Sequence, residues 1–338
     1  MRIELRSDTF TRPTPEMLHV MMHAEVGDDV FQEDPSVNRL EQQVAALFGK
    51  EAALYCPTGT MSNQVAIKVH TSPGDEVICE QQAHVYIYEG GGIALHSGSQ
   101  VKAIPGKQGR ITAEQVVGAI NPDDIHRART SLVCLENTSN RGGGACYNWE
   151  DIIGIRQVCH LNRLALHLDG ARLFNALVAT GQTAYQYGEV FDSISICLNK
   201  GLGCPIGSVL TGSAEFIKKA RRVRKVFGGG MRQAGYMAAA GIYALDHHVS
   251  RLAIDHAHAK AIATALAKKD FTGEIMPVET NILIFEVKGR FTAQTLADTL
   301  KHYDIHCMVI SPTQIRMVTH LDVTTAMIDK LLSVIDGL

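Results

Sequence analysis

The chain has 338 residues, of which 46% are hydrophobic and 20% charged, and a formal net charge of −3. That length holds two domains or one large α/β unit with an appendage, and that charge gives no ground for a nucleic-acid or anionic-membrane partner. The opening Met1-Arg2-Ile3-Glu4 lacks the apolar core of a signal peptide, and the longest apolar run, 237–245, is too short to span a bilayer. The cysteines show no CxxC spacing and no zinc-finger partners, the pattern of reduced, buried thiols in a cytoplasmic protein.

A first helix is expected after Thr14, with Pro15 at its first position and Glu16 in its first turn. Met17, Val20, Met21 and Ala24 then fall on one face. A second helix is expected over 37–48, closed by Gly49. Next, Cys56-Pro57-Thr58-Gly59-Thr60-Met61-Ser62-Asn63 is a turn rich in glycine and hydroxyls that opens another helical pattern. Free N–H groups at a helix start favour an anion, although a simple N-cap accounts for the same residues.

Strands are expected at 76–79, 100–104, 131–135, 164–168, 194–198 and 207–210, with helices between most of them, near 113–120 and 149–159. This alternation predicts a mainly parallel sheet covered on both faces, with ligands at the carboxyl ends of its strands. A long helical stretch, 231–268, leads into the last part. There 281–287, 305–310 and 315–318 read as strands, and 293–303 and 324–335 as helices. The expected division is a large domain over 31–250 and a smaller α+β domain over 251–338, which residues 1–30 join.

Two strand ends carry chemistry. One reads His167-Leu168-Asp169-Gly170-Ala171-Arg172; the other, one strand later, reads Asn199-Lys200-Gly201-Leu202-Gly203. A lysine taken alone is usually solvated. A lysine at a strand end beside glycines, following a carboxylate at the preceding strand end, suits pyridoxal phosphate (PLP). That cofactor needs a lysine for its aldehyde carbon and an acid that keeps its pyridine nitrogen protonated.

HLDGARLFNA and SICLNKGLG resemble the L-threonine aldolases, the low-specificity and L-allo-threonine enzymes, within the aspartate aminotransferase-like (fold-type I) PLP enzymes. So do LRSDTFTRPT (5–14), GDDVFQEDP (27–35), GKEAALYCPTGTMSN (49–63), DDIHRART (123–130), GGGMRQAG (228–235) and IRMVTHLDV (315–323), nearly end to end. The resemblance implies an α/β fold with a mainly parallel, seven-stranded type of sheet in the large domain. It implies that Lys200 carries PLP, that Asp169 pairs with the ring nitrogen, and that Thr58, Gly59 and Thr60 hold the phosphate. His84 would stack on the ring and accept the proton of the substrate's β-hydroxyl, with His126 as a second histidine near that hydroxyl. Arg172 and Arg316, with Ser7 nearby, would hold the substrate carboxylate.

The basic run 221–225 reads on its own as a solvated helix face. The resemblance implies that Lys225 and Arg232, on either side of a flexible Gly228-Gly229-Gly230, reach the phosphate of a neighbouring subunit's cofactor. The assembly implied is a homotetramer, a dimer of dimers with shared sites. Ser139 stands where the family usually has histidine, and Gly142-Gly143-Gly144 and Asn199 also depart from common forms; Tyr88 matches a position linked to threo/allo discrimination. The expected activity is PLP-dependent cleavage of L-threonine or L-allo-threonine to glycine and acetaldehyde. The alternatives are another fold-type I enzyme, an aminotransferase or β-lyase, or a PLP-binding protein without turnover.

Overall fold

The computed structural model describes residues 1–338. Its strands are β1 (Ile3–Glu4), β2 (Ala52–Cys56), β3 (Glu76–Glu80), β4 (Gln100–Ile104), β5 (Thr130–Glu136), β6 (Ala165–Gly170) and β7 (Ser193–Cys197), then β8 (Ser208–Gly212), β9 (Thr272–Ile275), β10 (Ile282–Val287), β11 (Ile305–His306), β12 (Met308–Ser311) and β13 (Gln314–Val318). Seven form the main sheet in the order β2-β8-β7-β6-β5-β3-β4. The run from β7 to β4 is parallel, and β8 is antiparallel to both of its neighbours. Every residue of β3, β5, β7 and β8 is buried, as expected for strands covered on both faces.

β2 has no counterpart among the expected strands. Ala-Ala-Leu-Tyr-Cys shows no alternation, and its place is fixed from outside, by pairing with β8 from Ala52↔Gly212 to Cys56↔Ser208. The 305–310 segment, expected as one strand, is two. β11 pairs in parallel with β1, and β12 pairs antiparallel with β13. The second helix runs Pro35–Leu47, starting ahead of the expected 37 because Asp34 caps it by accepting from Val37 N at 3.0 Å.

The expected helix over 231–268 is two helices, Gly235–His247 and Leu252–Leu266. At the break His248 is buried and its Nδ1 lies 2.7 Å from the Leu202 carbonyl. Ala238, Ala240 and Ala244 belong to the large apolar core on the main sheet, whereas Ile262 and Leu266 belong to a second core with β10, β13 and the helix Thr325–Gly337. One straight helix would not present its apolar face to both. Residues 1–30 are likewise divided: Ile3 and Leu5 lie in the second core, Met17 and Met21 in the first. No helix is long and apolar enough to cross a membrane. All eight cysteines are free thiols, and seven are buried.

Candidate active site

The carboxyl ends of β6 and β7 open into a cavity of about 170 Å³ whose walls include Thr58, Gly59, Asn63, His84, Asp169 and Lys200. A larger groove of about 480 Å³, between the helices Pro15–Met22, Pro35–Leu47 and Gly235–His247, has no lysine in its wall. The first cavity combines, at two neighbouring strand ends, a lysine and a buried carboxylate with the start of a helix.

Asp169 is next to last in β6, buried, beside Glu136 at the end of β5. Its Oδ1 accepts from Ala171 N at 3.0 Å and its Oδ2 from Asn63 Nδ2 at 3.0 Å. Burial, with the charge of Asp169 beside it, pushes the Glu136 carboxyl up. Glu136 accepts from the backbone N–H groups of His84 and Asn140, both at 2.9 Å.

Asn63 joins two carboxylates, since the same Nδ2 donates to Glu89 Oε1 at 3.0 Å. Its Oδ1 lies 3.2 Å from His167 Nε2, and His167 Nδ1 lies 2.8 Å from Ser193 Oγ. Burial, and then the nearby His70, lower His167 to about 3, so its ring is neutral near pH 7. A proton on Nε2 then makes the Asn63 oxygen the acceptor and aims the amide NH₂ at Asp169 and Glu89.

Glu89 is fully covered by protein, and three donors converge on it: Asn63, Gln64 (Nε2 to Oε2, 2.5 Å) and His84 (Nδ1 to Oε1, 3.2 Å). With Nδ1 donating to a carboxylate, Nε2 is the free nitrogen of His84. Burial works against a charged His84 ring, but the Glu89 hydrogen bond and the charges of Asp169 and Glu89 outweigh it and raise its pKa above the ordinary 6.5.

The phosphate-type loop precedes the helix Gly59–His70. Thr58 is its N-cap: the side chain accepts from Met61 N at 3.1 Å and the carbonyl from Ser62 N at 3.1 Å. Of the four first-turn N–H groups that lack a helical partner, those of Gly59 and Thr60 are left at the cavity wall. The N-cap and the anion site therefore coexist, with Thr58 serving the cap.

Lys200 lies three residues past β7, and its carbonyl accepts from Gly203 N and from Thr11 Oγ1 at 3.0 Å. The Thr11 hydroxyl also lies 2.9 Å from the Asp8 carbonyl, which ties the N-terminal segment to the lysine turn. Asp8 meets Arg172 in a buried two-point pair, Nε to Oδ2 2.7 Å and Nη2 to Oδ1 2.8 Å. Burial opposes charge on Asp8, yet Arg172 holds its carboxyl well below the usual range. Ser7 caps the adjoining turn by accepting from Thr9 N.

Arg316, on β13, is differently placed. Its Nη1 donates to Asn140 Oδ1 at 3.0 Å and its Nη2 to the Arg6 carbonyl at 3.0 Å, while its buried Nε has no partner. Arg172 Nη1 approaches the same Asn140 oxygen at 3.4 Å. No carboxylate of the chain pairs with Arg316, and burial, then Arg172, lower its pKa to about 10.

Six expected site residues lie outside the wall of this cavity: Ser7, Arg172 and Arg316, joined to the lysine turn as described, and His126, Lys225 and Arg232, which have no such link. His126 is 82% exposed in the segment between the helix Ala113–Ala119 and β5, with Asp124 at 2.8 Å. Lys225 is exposed near the end of the helix Ala214–Val226, and Arg232 pairs with Asp28 at 2.8 Å on the surface. The helix that carries the basic run is also not a uniformly solvated face. Arg224 is buried against Asp29 at 2.7 Å and donates to the Tyr55 carbonyl, while Arg221 pairs with Glu41 at 2.7 Å. Gly229 serves close packing here, for a Cβ would stand 2.2 Å from Met61 Sδ.

Residues 4–290 match the family model of the beta-eliminating lyases. Over 323 residues, 95% of either chain, the sequence is 45% identical to the low specificity L-threonine aldolase of Escherichia coli strain K12. This chain belongs to the L-threonine aldolase family. It is also 39% identical to low-specificity L-threonine aldolase 1 of Arabidopsis thaliana, over 98% of this chain and 94% of that one. The structure of Leishmania major threonine aldolase has the same fold, with a TM-score of 0.87 over 99% of both chains at 20% identity. The L-threonine aldolases are PLP-dependent, and the residues of this cavity fit the cofactor: two free N–H groups for a phosphate, a lysine, and a buried carboxylate with capacity to accept.

The readings from sequence left out Asn63, Glu89, His167, Asp8 and Asn140. Glu89 had a local signal, an acid five residues after His84 at the foot of Gly90-Gly91-Gly92. The others had none, because their partners are brought in by the fold.

Proposed function

We propose that this threonine aldolase cleaves L-threonine, L-allo-threonine and related β-hydroxy-α-amino acids to glycine and an aldehyde. The observation that carries the reading is Arg316, a buried guanidinium with no carboxylate partner, joined through Asn140 to the Arg172–Asp8 pair beside the lysine turn. A buried cation of that kind calls for an anion from outside the chain, and an amino acid supplies one.

When bound, the cofactor supplies a covalent handle for the substrate amine and an electron-withdrawing ring that stabilises negative charge at Cα. Lys200 is the residue that would hold it, through its side-chain amine. Asp169 keeps a proton on the ring nitrogen, with Asn63 holding the carboxylate in line. Gly59 and Thr60 donate backbone N–H groups to the phosphate, beside the Thr58 cap. Arg316 grips the substrate carboxylate with its fork, with Arg172 Nη1 and the Ser7 hydroxyl nearby, and so sets the angle of the Cα–Cβ bond. His84 Nε2, left free by the Nδ1–Glu89 bond, takes the β-hydroxyl proton. His126 has no task within its own chain's cavity.

The assembly in this reading is a homotetramer, a dimer of dimers, in which Lys225 and Arg232 reach the partner's phosphate. Support comes from their exposure away from their own cavity and from the exposed apolar side chains Phe31, Tyr86, Ile87, Leu95 and Val226. Buried, unpaired thiols favour a cytoplasmic setting. The test is acetaldehyde and glycine release by the PLP-loaded enzyme from L-threonine, L-allo-threonine and their D forms. Release from the L forms is expected. No release, together with glutamate-dependent conversion of the cofactor to its amine form, would make the protein an aminotransferase.

A further inference from the structure

Two side chains next to this site have no part in the mechanism above. Tyr88 directly follows the helix His84–Ile87, and its ring centre lies 5.8 Å from that of His84. The guanidinium carbon of Arg141 lies 5.9 Å from the Tyr88 ring centre. Tyr88 therefore neighbours both His84, in the cavity wall, and Arg141, and it is 46% exposed. Arg141 follows Asn140, the residue whose amide oxygen is shared by Arg316 and Arg172, and its charge is one of those that depress the Arg316 pKa.

Arg141 makes no hydrogen bond and no ion pair within the chain, yet its backbone is held on both sides. Ser139 N donates to the Ala145 carbonyl at 3.0 Å, Gly144 N to the Ser139 carbonyl at 2.8 Å, and Gly142 N to Ser139 Oγ at 3.1 Å. Gly142 is packed so closely that a Cβ would stand 2.0 Å from the Gln108 carbonyl oxygen. Ser139 and the glycines thus build a fixed turn with one unpaired guanidinium at its tip. A held backbone lowers the ordering cost of a contact, and a guanidinium fork over an aromatic face suits a carboxylate.

In the reaction proposed above, the α-carboxylate goes to Arg316 and the β-hydroxyl to His84. What remains to be recognised is the substituent on Cβ, and the Tyr88–Arg141 pair lies beside His84. We propose that Tyr88 and Arg141 form a specificity subsite for a carboxylate carried on Cβ, so that this enzyme favours β-hydroxy-α-amino acids with an acidic side chain. This inference rests on the aldolase reading. With 3-hydroxyaspartate as substrate, the β-hydroxyl proton goes to His84 and the Cα–Cβ bond breaks. The Cβ–O bond becomes the carbonyl of glyoxylate, and Cα gains a proton to give glycine. Nothing is oxidised or reduced overall.

The test compares kcat/KM for 3-hydroxyaspartate and L-threonine in the wild-type enzyme, Arg141→Gln and Arg141→Lys, all PLP-loaded. The ratio of the two substrates is expected to fall about tenfold or more in Arg141→Gln, mainly through KM, with part of it restored in Arg141→Lys. An unmoved ratio, or a wild-type enzyme that cleaves threonine but not 3-hydroxyaspartate, overturns the subsite. A second measurement does not need turnover: the Kd ratio of aspartate to 2-aminobutyrate, read from the change each makes in the cofactor's visible absorbance. If neither β-hydroxy acid is cleaved, the aldolase reading fails, and this ratio still decides the subsite. Loss of a preference for aspartate in Arg141→Gln supports it, and the same ratio in both proteins overturns it.

Discussion

Asp8 and Arg172, 164 residues apart in the chain, meet in a buried two-point ion pair. The pair takes up two of the guanidinium nitrogens of Arg172, so the two arginines of the site are not equivalent. Arg172 already has its anion, and Arg316 has none.

Arg316→Lys keeps a positive charge and loses the planar fork. A lysine also cannot reach both Asn140 and the Arg6 carbonyl with the same geometry. We expect kcat/KM for L-threonine to fall about 100-fold with the cofactor's visible band intact. Steady-state kinetics beside an absorbance spectrum read both quantities, and an unchanged kcat/KM would place Arg316 outside the substrate site.

Asp8→Asn acts on stability. It leaves Arg172 buried without a countercharge, which costs about 3 to 5 kcal/mol for a pair of this kind. The urea midpoint should drop accordingly, and Asp8→Asn with Arg172→Met should recover part of the loss. A single variant with an unshifted midpoint would show that the burial of Arg172 does not depend on the Asp8 charge.

Glu89→Gln tests the pH dependence. Glu89 raises the His84 pKa, and His84 must be neutral to take a proton, so kcat/KM should climb with pH through a value above 6.5. Replacing Glu89 by a neutral amide should move that acid limb to lower pH. Stability runs the other way: the charged His84–Glu89 pair contributes fully below pH 6.5 and is lost as pH rises through the raised pKa. Kinetics across pH 5 to 9 in both proteins check the shift. A limb that stays in place would assign it to another group.

Lys200→Ala and Arg232→Glu, each expected to be inactive alone, should regain activity when mixed and allowed to exchange subunits. In a mixed dimer the Arg232→Glu subunit keeps its own Lys200 and receives an intact Arg232 from its partner, giving one whole site. Confirmed mixed dimers without activity would confine Arg232 to its own chain.

The positions legible in the sequence are those at strand ends. Asp169 and Lys200 stood out because the alternation of strands and helices puts such positions at one edge of a sheet. Asn63, Glu89 and Asn140 did not, since what they do depends on contacts made across 106, 26 and 176 positions of sequence. A buried acid such as Asp8 looks in sequence like any surface acid until the fold supplies its arginine. The same limit applies to β2, five small or apolar residues that became an edge strand only because β8 lies beside them. Gly229 was misread for a related reason: glycine in a run suggests freedom, whereas the space here is taken by Met61.

The pairing of β1 with β11, Ile3 beside Ile305, has a consequence for how the enzyme comes into being. A growing chain can assemble the main sheet and its core, and with them Lys200, Asp169, His84 and the phosphate loop, once the helix Gly235–His247 has been made and before β10 to β13 have. Arg316 and the strand that seats Ile3 arrive only at the end, and closing so long a loop is the slow kind of step in folding. The chain's own part of the cofactor pocket is thus in place earlier than the carboxylate clamp. A nascent molecule would be able to take up its cofactor at a stage when it cannot yet select a substrate.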